Sequence, residues 1–70
     1  MIMYKQTKTI EGQVRNDQIQ RVADGAYIPF DPANTDYANF KKQILADEAQ
    51  LQDADGNVMA DAKAYVASLP

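Results

Sequence analysis

The sequence predicts an α+β domain: a small antiparallel sheet of two or three strands packed against one longer helix, with a short C-terminal helix. Three observations carry this. Residues 1–30 hold short runs rich in Thr, Tyr, Ile and Val, separated by Gly, Asn and Asp, which is the signature of strands and tight turns. From Thr35 onward, apolar residues recur at spacings of three and four, the period of a helix with one buried face. Between the two regions stands a segment stiffened by Pro29 and Pro32. Seventy residues make one domain, taken here as 1–70. A chain of this size buries only roughly 60% of its unfolded surface, so its stability margin is small.

Residues 3–10, MYKQTKTI, contain no breaker and read as the first strand. Ile2, Tyr4 and Ile10 share one parity, with Gln6 and Lys8 between them. That mixture suits a strand at a sheet edge, where lysines discourage stray pairing. Gly12 is a candidate bulge and Arg15-Asn16-Asp17 a candidate turn. Residues 18–23, QIQRVA, form the second strand, and Asp24-Gly25 supplies a hairpin signal because Gly accepts positive φ without steric cost. Residues 26–30, AYIPF, form the third. Pro29 lacks a backbone donor, which ends that strand or confines it to an edge.

Asp31-Pro32-Ala33-Asn34 then has the composition of a type I turn, and Asn34 or Thr35 can cap a helix, with Asp36 in the first turn where the helix dipole favours negative charge. The helix runs from Thr35 to about Leu51 with Tyr37, Phe40, Ile44, Leu45, Glu48 and Leu51 on its stripe, and Asn39, Lys42, Gln43 and Asp47 largely opposite. Gly56 marks a left-handed cap or tight turn. A second helix over 60–68 places Ala62, Tyr65, Val66 and Leu69 together. The joint formed by Pro29, Phe30, Asp31, Pro32, Asn34, Tyr37 and Phe40 is expected to be structural. Its stiffness sets the angle between strand and helix, and its rings pack across the junction.

Composition excludes more chemistry than it offers. The chain has no Cys and no His, which removes disulfides and the usual nitrogen or sulfur zinc ligands. The apolar fraction of 46% and charged fraction of 24% are those of an ordinary globular domain. Net charge is −3, divided as +1 over residues 1–30 and −4 over residues 31–70. Apart from Lys41-Lys42 there is no cluster of cations of the kind that phosphate backbones require, so no nucleic-acid partner is expected. The opening MIMYKQTK has no apolar run of signal-peptide length, and no segment is long enough to span a bilayer, so no membrane association is expected.

Nucleophilic catalysis needs an activated Ser, Cys or Thr. The one serine, Ser68, has no histidine to activate it, and the carboxylates fall mainly in turns, caps and polar helix positions. Gly12, Gly25 and Gly56 are too far apart to form a phosphate loop. No catalytic residue and no cofactor is expected. Asp53, Asp55 and Asn57 alternate as oxygen donors do at the start of a calcium loop. The sixth position of that pattern is Val58 and the twelfth Ala64, which favours a plain solvated turn, so no metal site is expected. Tyr4, Tyr27 and Tyr65 are candidate contact residues, since tyrosine combines an apolar ring with a polar tip; the other reading places them in the core with hydroxyls at its edge.

The segment RVADGAYIPFDPANTDYANF, residues 21–40, resembles a pattern in small proteins of tailed bacteriophages, including those infecting cyanobacteria. There a short strand ending near D-G or D-N leads into I-P-F-D-P-A-N-x-D-Y and an aromatic helix. The matching residues are Asp24, Gly25, Ile28, Pro29, Phe30, Asp31, Pro32, Ala33, Asn34, Asp36 and Tyr37. Some of those proteins carry a Trp in the following helix, and this chain has Phe40 and then Lys41-Lys42. The ending AYVASLP, residues 64–70, is also similar to the close of such proteins. The resemblance implies a non-enzymatic virion protein of tail, baseplate or capsid, and it supplies no catalytic residues. The expected partners are other phage structural proteins, with self-association possible. The alternative is an accessory protein in the host cytoplasm that binds a host protein during infection.

Overall fold

A computed structural model of the chain describes residues 2–69. The elements are β1 (Ile2–Lys8), β2 (Val14–Arg21), β3 (Ala26–Pro29), α1 (Thr35–Leu45), β4 (Ala49–Gln52) and α2 (Ala62–Ala67). The class is α+β, with one longer and one short C-terminal helix. The sheet departs from the expected two or three antiparallel strands: it has four, in the order β3-β2-β1-β4, and it is mixed, because β4 lies parallel to β1.

The unforeseen strand arises where the helix was expected to continue. α1 ends at Leu45, not near Leu51, through a full Schellman closure. The Glu48 N–H donates to the Gln43 carbonyl at 2.9 Å and the Asp47 N–H to the Ile44 carbonyl at 3.2 Å, with Asp47 at φ 60°. The chain then reverses and Ala49-Gln50-Leu51-Gln52 pairs with Ile2-Met3-Tyr4-Lys5. Leu51 is buried on this strand and not on a helix, while Leu45 is 48% exposed.

Other boundaries move for local reasons. β1 is an inner strand with β2 and β4 on either side, so its lysines do not guard an edge. Thr9 and Ile10 lie beyond it in a turn that closes through the Gly12 N–H to the Thr9 carbonyl at 3.0 Å. Ile10 is therefore fully exposed and does not share a face with Tyr4. Gly12 sits in that turn at φ 87°, and the irregularity of the ladder falls at Gln6–Lys8 instead. Arg15-Asn16-Asp17 is part of β2, not a turn. Arg15 and Asp17 stand two apart on an extended backbone and form a two-point ion pair at 2.8 Å. Val22 and Ala23 leave the strand for the turn that Gly25 closes, with φ 71° and its N–H on the Arg21 carbonyl at 2.8 Å. α2 begins at Ala62, since Met59 is still tied to β4 by its N–H to the Leu51 carbonyl at 2.8 Å.

Both helices pack on one face of the sheet. The core draws Tyr4, Ile19 and Ile28 from β1, β2 and β3, Ala49 and Leu51 from β4, Tyr37, Phe40 and Ile44 from α1, and Val66 from α2. Each buried large aliphatic side chain contributes about 1.5–3 kcal/mol by leaving water. The buried set on α1 follows the predicted three-and-four spacing up to Ile44. Among the described residues no helix is long and apolar enough to cross a membrane.

Candidate functional site

The joint is held by hydrogen bonds as well as by its two prolines. The Phe30 N–H donates to the Asp17 carbonyl at 2.9 Å, the last rung between β2 and β3. By the alternation of antiparallel pairing, Tyr27 and Pro29 turn their backbone groups outward along the free edge. Pro29 thus sits where its missing N–H leaves one less donor for a stray strand. Asp31 then accepts twice, its carboxylate from the Ala33 N–H at 3.0 Å and its carbonyl from the Asn34 N–H at 2.8 Å. Pro32 occupies the second position of this turn. Asn34 is the helix cap, accepting the Tyr37 N–H at 3.1 Å on its side-chain oxygen.

The rings converge on this frame. Phe30 stacks on Tyr37 with centroids 5.1 Å apart and lies nearly parallel to Phe40 at 6.2 Å. The Tyr4 ring meets Phe40 edge-on at 4.9 Å. Pro29, Phe30, Asp31, Pro32, Asn34, Tyr37 and Phe40 therefore form one contiguous unit, with Tyr37 and Phe40 buried and Phe30 half-buried.

The three candidate contact tyrosines separate. Tyr4 is buried, with its hydroxyl donating to Gln43 Oε1 at 2.5 Å, so it is a core residue and not a contact residue; its even parity in β1 directs it under α1. Burial pushes its pKa up, partly offset by Arg21. Tyr65 is half-buried against the core, with a buried hydroxyl that has no hydrogen-bond partner among the described residues. Tyr27 is 62% exposed, on the sheet face opposite the helices.

The DADGN stretch is a self-capped turn. The Asp53 carboxylate accepts the N–H groups of Asp55 and Asn57 at 2.9 and 3.0 Å, and these hold its pKa down. Asp55 is turned to Lys8, 2.8 Å away.

A cleft of about 680 Å³ opens at the end of the sheet where β1 begins and β2 ends. Ile2, Met3 and Val22 supply apolar lining; Arg21, Asp36, Asn39, Gln43 and Glu48 supply polar groups. Two ties brace it: Tyr4 to Gln43, and Arg21 to Asp36 at 3.5 Å. Arg21 also holds Asp24 at 2.8 Å, which lowers the Asp24 pKa to about 2. Sequence reasoning assigned Asn39 and Gln43 to the solvent side of α1 and did not single out Arg21. The available signal was Asp36, Asn39 and Gln43 at spacings of three and four, a second stripe on α1. Comparison with known protein families, with curated proteins and with solved structures finds no match for this chain.

Proposed function

We propose that this chain is a non-enzymatic protein of a tailed bacteriophage, a virion component that acts by protein–protein contact with a tail, baseplate or capsid protein. The observation that carries the contact reading is the distribution of apolar side chains. The core is complete around the aromatic joint, yet Ile2 and Val22 remain 39% and 46% exposed beside one cleft. Apolar side chains gathered at a concave site suit a partner surface. The phage assignment rests on the likeness of residues 21–40 described above. Mass spectrometry of purified particles is expected to find the chain in stoichiometric amount. Its absence from particles, with abundance in infected-cell lysate, would replace this reading with the host-directed one.

A further inference from the structure

We infer that the cleft at the end of the sheet receives a partner segment presenting one large aliphatic side chain beside a lysine or arginine, an assignment that rests on the contact reading above. The apolar half of the requirement comes from Ile2, Met3 and Val22, which line a space of about 680 Å³, ample for a leucine-sized side chain and its flanking backbone. The charged half comes from the imbalance around it. Arg21 is the one cation of the lining, and it already meets two carboxylates, Asp24 at 2.8 Å and Asp36 at 3.5 Å. Glu48 stands on the same rim and forms no ion pair among the described residues. Within the lining, one cation against the two carboxylates Asp36 and Glu48 leaves −1, with Asp24, held by Arg21, adding a further negative charge just outside it, and complementary potential selects a basic partner over an acidic one.

Shape and bonding agree with a peptide-like occupant. The two ties to α1 fix the sheet and helix walls relative to each other, so the cleft exists before anything binds and ordering it costs little. The Asn39 amide faces the cleft and makes no hydrogen bond within the described chain, which leaves a donor and an acceptor for a main chain lying across it.

Two capped pentapeptides test this, one with leucine between two lysines and one with leucine between two glutamates, titrated into the 15N-labelled chain. The lysine peptide is expected to shift the amides of Met3, Val22 and Asn39 saturably at millimolar concentration, and the glutamate peptide to leave them in place. Glu48→Lys, at an exposed position on the rim, is expected to weaken the lysine peptide about fivefold, the scale of an exposed ion pair. Val22→Ser, in a turn outside the core, is expected to weaken it as well. Equal shifts with both peptides, shifts confined to other surfaces, or no saturable shift overturn the inference. If particles contain the chain while the lysine peptide leaves it unmoved, the cleft assignment falls and the contact reading stands; saturable binding with the chain absent from particles gives the converse.

Discussion

The ring of Phe30, the first residue beyond β3, lies against that of Tyr37, in the first turn of α1, with centroids 5.1 Å apart and planes inclined by 29°. One sheet rung and one helix cap are thereby locked together through a stacked pair. Phe30→Ala is expected to lower stability by about 2 kcal/mol, part from lost burial and part from lost ring stacking. Urea unfolding with an unchanged midpoint would show that the rings do not brace the joint.

The turn between them acts mainly through chain entropy and capping. Pro32→Gly is expected to cost about 0.5–1 kcal/mol by loosening the unfolded chain. Asn34→Ala is expected to cost about 1 kcal/mol, because the Tyr37 N–H loses its acceptor. Thermal melts of the two variants distinguish these effects from a passive loop, in which neither would move the transition.

Asp47 ends α1 in a left-handed conformation that a side chain makes costly. Asp47→Gly is expected to raise stability by about 0.5–1 kcal/mol, even though it removes the exposed pair with Lys63. Asp47→Ala serves as the control, since it removes the pair but keeps the strain. A glycine variant no more stable than the alanine variant in a urea titration would contradict this account.

Tyr4 predicts an alkaline limit. Burial raises its folded pKa above 10.0, so its stabilising contribution is complete below that pH and is lost as pH climbs through the higher folded value. Tyr37 acts in the same direction for the same reason. Tyr4→Phe is expected to cost about 1 kcal/mol at neutral pH through the lost bond to Gln43. It is also expected to flatten the loss of stability above pH 10.0. Melting curves across that range, with identical slopes for both proteins, would disprove the linkage.

Asp24 predicts the acid side. Its pKa lies at about 2, below the ordinary 3.8, so the stability it contributes is present above 3.8 and disappears as pH falls toward 2. Asp24→Asn is expected to remove that acid dependence. Stability followed by circular dichroism in buffers running from above pH 3.8 down to about 2 measures it.

The joint was legible because each of its residues carries a local signal: Pro29 and Pro32 fix φ, Asp31 and Asn34 accept nearby N–H groups, and Tyr37, Phe40 and Ile44 keep helical spacing. The end of α1 was not legible, since Leu45, Glu48 and Leu51 continue that spacing past the true stop. The stop depends on Asp47 taking a conformation that glycine usually supplies. Ala49-Gln50-Leu51-Gln52 does alternate apolar and polar, as a strand does, but the partner that makes it one is β1, far away in the sequence. The cleft was hidden for the same reason: Ile2, Val22 and Asn39 become neighbours only when the sheet and α1 are assembled.

The pairing of Ile2 with Ala49 also bears on how the chain is made. β1 occupies an inner place in the sheet, and one of its two neighbours, β4, is translated only after β2, β3 and α1. Until residues 49–52 clear the exit tunnel, one side of that strand has no partner, and Leu51 is not yet there to close the interior. The domain therefore reaches its native form only once β4 has been translated, and a nascent chain stalled before Ala49 would expose an unpaired β1 backbone to whatever lies nearby.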